Sequence, residues 1–215
     1  MAYFPLFFDF SNKPVSIIGG GHTALEKAKR LLKTGAALTI IAPECADELE
    51  QMAAQKKIQL INRGWMVSDL DGCQFVIAAT DDYFENERIA KACRYKGILC
   101  NVVDNAALSD CIFGAVIEQG DLVIGVSTSG ASPSAAVYIK NQIRSIIPEE
   151  FSSILEWLAA LRPVIIERYK VQPIRAALFS QLFKDSLANH GPLDADHLEA
   201  LLLLYDQKQK EEEQK

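Results

Sequence analysis

Val15-Ser16-Ile17-Ile18-Gly19-Gly20-Gly21-His22-Thr23-Ala24 carries a short β-branched strand into three glycines and then into the apolar periodicity of a helix, Ala24, Leu25, Ala28, Leu31 and Leu32. In that context the G-x-G-x-x-A spacing gives each small residue a task. Gly19 permits a tight turn, Gly21 lets backbone approach a ligand, and Ala24 lets the helix pack closely on the strand. The free N–H groups of the first helical turn favour an anion. Gly19, Gly20, Gly21, His22 and Thr23 are therefore candidate contacts for the pyrophosphate of a dinucleotide. A purely structural glycine turn is the competing reading, and the position between strand and helix tells against it.

Outward from this turn, Ala37–Ala42 reads as a second buried strand, Cys45–Lys56 as a helix and Ile58–Ile61 as a third strand. Gln74–Ala79, Phe84–Tyr95 and Ile98–Val103 then repeat strand, helix, strand. Near-continuous apolar runs suit parallel strands covered on both faces, so residues 1–113 are expected to form an α/β, Rossmann-like doubly wound parallel sheet. The rhythm changes at Gly114. Ala115 to Val126 reads as a hairpin around Gln119-Gly120-Asp121, and Ser132-Pro133 as an N-cap and first helical position of a helix ending at Pro148. This small α+β segment, 114–148, cannot bury much alone, so a second copy of the chain is its expected cover, giving a homodimer. Residues 149–215 read as a helical C-terminal region with breaks near Pro163, Pro173 and Gly191-Pro192, a last helix capped by Asp194, and a Lys/Glu/Gln tail from Lys208 that is expected to fray.

The 215 residues are 49% hydrophobic and 23% charged, which is ordinary for a chain that buries a core. A formal net charge of −6 argues against nucleic acid or an anionic membrane as partner. No apolar run is long enough to span a bilayer and Met1-Ala2-Tyr3-Phe4-Pro5-Leu6 lacks secretory-signal features, so the expectation is a cytoplasmic protein. Cys45, Cys73, Cys93, Cys100 and Cys111 are odd in number and never in a C-x-x-C pair, and His22, His190 and His197 are scattered, so no metal centre is expected.

In such a sheet ligands bind beyond the carboxyl ends of the strands, where strand order reverses. The glycine turn, Ala42-Pro43 after strand two, Thr80-Asp81 after strand four, and Asn101 and Val103 around the end of strand five are the expected cofactor contacts there, with Asp104 beside them. Asp104 is the candidate catalytic group, since a carboxylate beside a cofactor crevice can take a proton; capping a turn is an equal reading from the residues alone. Asp81 and Asp82 also suit helix caps. Strand two ends Ile41-Ala42-Pro43-Glu44, with an acid only past the proline, which breaks the usual pattern for holding the ribose hydroxyls; the absence of a nearby Arg disfavours NADP, so NAD is the expected cofactor. Ser127, Thr128, Ser129, Gly130 and Ser132 precede a helix and are candidate contacts for substrate carboxylates, with Ser132 as a simple cap the alternative.

Five ordered motifs, Tyr3-Phe4-Pro5-Leu6-Phe7, Gly19 to Ala24, Ala78-Ala79-Thr80-Asp81-Asp82 with Asn86 following, Asn101-Val102-Val103-Asp104, and Ser127 to Pro133, together resemble the precorrin-2 dehydrogenase and sirohydrochlorin ferrochelatase family, the N-terminal half of sirohaem synthases and its stand-alone relatives. The resemblance implies NAD-dependent dehydrogenation of precorrin-2, a tetrapyrrole with eight carboxylates, to sirohydrochlorin, with Asp104 tied to catalysis. It implies a dimer formed through the hairpin and helix, and a separate methyltransferase to supply precorrin-2. Some members also insert ferrous iron, so a bifunctional enzyme is one alternative and a separate chelatase the other; a non-catalytic NAD-sensing module is more distant. Gly114 and Ser129 depart from the family pattern, which has proline and a second glycine there.

Overall fold

The computed structural model describes residues 3–213. The chain forms two compact units that divide between Phe113 and Gly114.

The first unit is a parallel sheet of β1 (Pro14–Ile18), β2 (Ala37–Ile41), β3 (Gln59–Ile61), β4 (Phe75–Ala78) and β5 (Leu99–Val102) in the order β3-β2-β1-β4-β5. Three helices link them: α1 (His22–Leu32), α2 (Asp47–Ala54) and α3 (Tyr83–Lys96). Alternation along the strands sends their side chains into two cores. On one face Val15, Ile17, Leu38, Ile40, Phe75 and Ile77 pack under α1 and α2, through Ala24, Leu25, Ala28, Leu31 and Leu49. On the other, Ile18, Val76, Ala78, Cys100 and Val102 pack under α3, through Ile89, Ala90 and Cys93. Both faces are covered, which accounts for strands without polar alternation. The sequence had no periodic signal for one further element, a single 3-10 turn at Val67–Leu70. Asp69 fixes it, accepting the Met66 N–H at 2.7 Å and both terminal nitrogens of Arg63 at 2.7 Å, so that Arg63 holds its carboxyl below the usual carboxylate range.

The second unit opens with the antiparallel hairpin β6 (Ala115–Gln119) and β7 (Leu122–Val126), on which α4 (Pro133–Ile146) packs. The helices α5 (Phe151–Arg168), α6 (Gln172–Ala188) and α7 (Ala195–Glu213) follow, around a core of Ile165, Tyr169, Leu178, Leu182 and Tyr205.

Two expectations for this region are corrected. The helix does not break at Pro163, which lies inside α5. A proline there forfeits a helical hydrogen bond, but Trp157, Leu158 and Leu161 on one side and Ile165 on the other pack into the same cluster and hold the helix through it. The tail does not fray at Lys208 either. Through Glu213 it continues α7, with Lys208 Nζ 4.2 Å from the Tyr205 ring centre and the Gln209 side chain accepting the Lys170 N–H at 3.2 Å. Lys, Glu and Gln are good helix formers once so tied. The last two tail positions, like Met1 and Ala2, lie outside the described residues. Asp194 caps α7 as expected, accepting the His197 N–H at 2.8 Å.

Among the described residues no helix is long and apolar enough to cross a membrane, and no group of three or more His, Cys, Asp or Glu could hold a metal ion.

Candidate functional site

Strand order reverses between β1 and β4, and the glycine turn leaves β1 at that point. Gly19 N–H donates to Ile41 O at 2.9 Å, tying the turn to β2. Its φ is +128°, and a Cβ would lie 2.1 Å from the Ala79 carbonyl oxygen at the end of β4, so no other residue fits. Gly20 is equally confined: a Cβ would lie 2.1 Å from Glu44 O, and Gly20 O accepts the Ala46 N–H at 2.9 Å.

Gly21 differs from both. It is the N-cap of α1 at φ −79°, and a Cβ there would meet nothing within 4 Å. No side chain caps α1, and its first turn contains no acid. His22 and Thr23, both exposed, open the helix. An open glycine below uncapped N–H donors fits a dinucleotide pyrophosphate. Beside the turn, Ala42 is buried and donates its N–H to Ile61 O at 3.2 Å, while Pro43 and Glu44 are exposed.

The loop after β4 is clamped by Asn86, which is 7% exposed. Its Oδ1 accepts from Thr80 N at 3.1 Å and Thr80 Oγ1 at 2.8 Å, and its Nδ2 donates to Thr80 O at 2.9 Å. Asp82 caps α3 by accepting the N–H groups of Phe84 and Glu85, as one sequence reading had it; Asp81 is exposed and caps nothing.

At the end of β5, Val103 donates to Ala78 O at 2.9 Å and packs against the α1-side core. Asn101 is buried and donates its amide to Cys111 O at 3.0 Å. Asp104 is exposed and adopts φ +57°, a left-handed conformation that aspartate tolerates better than most residues. The turn beneath it is closed by Asn105 N–H to Val102 O at 3.2 Å and by Ser109, whose buried hydroxyl accepts from Val102 N at 2.8 Å and donates within reach of Asn105 O at 2.8 Å. The Asp110 carboxylate accepts the Cys100 N–H at 3.0 Å. Burial, with Asp110 nearby, pushes the Cys111 thiol up to about 11, so it is a packing group rather than a nucleophile at neutral pH.

Ser127 to Ser132 belong to the second unit, and their polar groups largely satisfy one another. Thr128 Oγ1 donates to Ser132 O at 2.9 Å and accepts from Ser132 N at 3.1 Å; Ser127 Oγ accepts from Ser129 N at 3.0 Å. Ser132 Oγ accepts from Ala135 N at 3.2 Å, capping α4. Ser129 at φ +54° and Gly130 at φ +86° form the exposed tip.

The structure thus gathers Gly19, Gly20, Gly21, His22, Thr23, Ala42, Pro43, Thr80, Asp81, Asn101, Val103 and Asp104 at the carboxyl side of one sheet. Three positioning residues had no role assigned from sequence. Asn86 was visible only as a spaced motif residue, and Ser109 and Asp110 only as polar residues in a loop.

Residues 6–115, more than half of the chain, match the family model described as "Putative NAD(P)-binding". Curated relatives include the siroheme synthase of Pseudomonas fluorescens (strain SBW25), 32% identical over 204 residues, which are 94% of this chain and 44% of that protein. The siroheme synthase of Methylococcus capsulatus is 38% identical over 162 residues, 75% of this chain and 34% of that protein. The chain therefore spans less than half the length of these relatives. Among solved structures, SirC, precorrin-2 dehydrogenase, superposes with a TM-score of 0.71 at 23% identity, covering 95% of this chain and 100% of that one, which is a likeness of fold. With a three-glycine turn at the switch point of a doubly wound sheet and an open helix N-terminus above it, the chain belongs to this NAD(P)-binding family, whose cofactor is a nicotinamide dinucleotide.

Proposed function

We propose that the chain is an NAD-dependent dehydrogenase that oxidises precorrin-2 to sirohydrochlorin. The observation that carries this reading is Asp104, an exposed carboxylate in a left-handed turn at the end of β5, in the unit that also carries the uncapped glycine end of α1. The names of the siroheme synthase relatives and of the SirC structure support the substrate class.

The positions of these residues support the following roles. Gly21, His22 and Thr23 present N–H donors to the pyrophosphate, Gly19 and Gly20 keep the turn low enough for it to approach, and Ala42 and Pro43 border the adenosine side. Thr80, held by Asn86, together with Asp81, Asn101 and Val103, forms the wall toward the nicotinamide. When bound, the cofactor supplies a hydride acceptor. Asp104 takes the proton that leaves the substrate as hydride departs, so the tetrapyrrole loses two hydrogens as H⁻ and H⁺. NAD rather than NADP is supported by Arg63: it follows β3, the neighbour of β2, and its guanidinium is committed to Asp69 and to Gly64 O at 2.9 Å, leaving it unsuited to a 2′-phosphate.

Ser127, Thr128, Ser129, Gly130 and Ser132 are proposed to receive substrate carboxylates, chiefly through the tip at Ser129 and Gly130. A homodimer in the cytoplasm completes the reading. It is supported by Val137, Tyr138, Ile139 and Ile146, apolar yet exposed on α4, with Val116 and Val123 exposed on the hairpin below.

The test is anaerobic incubation of the protein with precorrin-2 and NAD, following sirohydrochlorin by absorbance, with ferrous iron added afterwards. NAD-dependent accumulation of sirohydrochlorin is expected; acceleration of the iron step would add chelation, and no NAD-dependent product overturns the proposal. Asp104→Ala should retain dinucleotide binding and lose about 10²-fold or more in turnover.

A further inference from the structure

Lys27 combines partial burial with the lack of a carboxylate partner of the kind that several basic side chains of the first unit have. Lys29, Arg63, Lys91 and Lys96 each reach a carboxylate, at 2.9, 2.7, 3.0 and 2.6 Å. Lys27 is half-buried, and among the described residues no carboxylate is paired with it. Its Nζ rests 4.1 Å from the centre of the Phe113 ring. That ring is fixed in turn by a run of aromatic contacts, Phe113 to Phe75 at 6.2 Å and Phe75 to Phe10 at 5.5 Å.

Its place on α1 gives this ammonium a direction. Lys27 lies four residues beyond Thr23, one turn along the same helix face and away from the open N-terminus. Asp104 is within its electrostatic reach. Burial holds the amine below the ordinary lysine range, the neighbouring Arg30 adds to this, and Asp104 opposes it. A desolvated cation compensated only by a ring face and a more distant carboxylate gains most when a second carboxylate arrives.

We infer that Lys27 is a substrate-binding residue, the anchor for one carboxylate of the ligand, standing on the Phe113 ring one turn along α1 from its open N-terminus. The inference rests on the proposed dehydrogenase reading, in which the substrate carries eight carboxylates. Held by one carboxylate at Lys27, the macrocycle would be fixed beside Asp104, the group that takes its proton.

The test uses the full chain with NAD present and uroporphyrin, a stable tetrapyrrole octacarboxylate, as the probe, titrated by its fluorescence polarisation. Lys27→Met should weaken porphyrin binding about ten-fold, the scale of one charge-assisted hydrogen bond, while Lys27→Arg keeps affinity within about three-fold. NAD affinity, measured on the same samples, should be unchanged in both. Equal porphyrin affinity in Lys27→Met and wild type overturns the inference. So does a Lys27→Arg variant as weak as Lys27→Met, or a parallel loss of NAD, since either would assign the effect to packing. A wild-type chain that binds NAD but no porphyrin would instead remove the dehydrogenase reading, and the anchor with it.

Discussion

The N-termini of α1 and α4 are built from the same sequence idea, a run of small and polar residues leading into a helix, and they end in opposite states. At α4 the protein answers its own donors: Ser132 Oγ accepts from Ala135 N, and Thr128 Oγ1 bonds both N–H and C=O of Ser132. At α1 nothing of the kind occurs. Glycines occupy the positions where capping hydroxyls would sit, and the donors are left for something else. A helix end closed by its own side chains stabilises the protein, whereas one left open gives up that stabilisation and keeps a site for an anion. The two polar-to-helix junctions, which look alike as strings, would therefore meet a ligand differently, α1 through free N–H donors and α4 chiefly through the exposed tip at Ser129 and Gly130.

The contrast can be broken most forcefully at Gly20. Its Cβ would meet a backbone oxygen, an atom that cannot swing aside, so Gly20→Ala should destabilise the first unit by ~3 kcal/mol or more, read by chemical denaturation. Ser132→Ala should cost about 1 kcal/mol and leave NAD affinity as it was; a loss of NAD binding would mean that the α4 junction is not the self-satisfied end described. Gly21→Ala is the smallest perturbation to the fold, about 0.5 kcal/mol, because its Cβ points into open space and only the N-cap preference for glycine over alanine is lost, partly offset by the stiffer unfolded chain. Its effect should appear in the ligand instead, with NAD bound about ten-fold more weakly by titration calorimetry. Equal unfolding curves for Gly20→Ala and Gly21→Ala would erase the distinction between glycines required by the protein and a glycine required by its ligand.

The first unit was largely legible in the sequence because its signals are local. Apolar runs such as Ile17-Ile18 and Val76-Ile77-Ala78 encode doubly covered strands, and the glycine spacing marks the switch point. What escaped was whatever depends on tertiary context. Pro163 is a helix breaker by local rule, overruled by a buried cluster drawn from both of its sides. The charged tail from Lys208 shows no apolar stripe, yet contacts with Tyr205 and Lys170 carry the helix through it. At the site, the glycines and Asp104 could be picked out by type and spacing. Asn86 and Ser109 could not, since their roles lie in hydrogen bonds to backbone groups six or seven residues away, and polar residues at such distances are unremarkable in any string. Ser129 illustrates the limit from the other side: its departure from the family pattern was visible, but its left-handed φ was not.

The stretch from Ser109 to Cys111 has a further consequence. A marginal strand normally exposes a row of unanswered N–H and C=O groups, an invitation for another chain to add a strand and for aggregation to begin. At β5 those groups are already engaged: Cys100 by the carboxylate and N–H of Asp110, Val102 by the Ser109 hydroxyl. At the opposite margin β3 is only three residues long. The nucleotide-binding sheet is thereby closed at its β5 border and kept short at its β3 border, two features that disfavour edge-to-edge strand exchange.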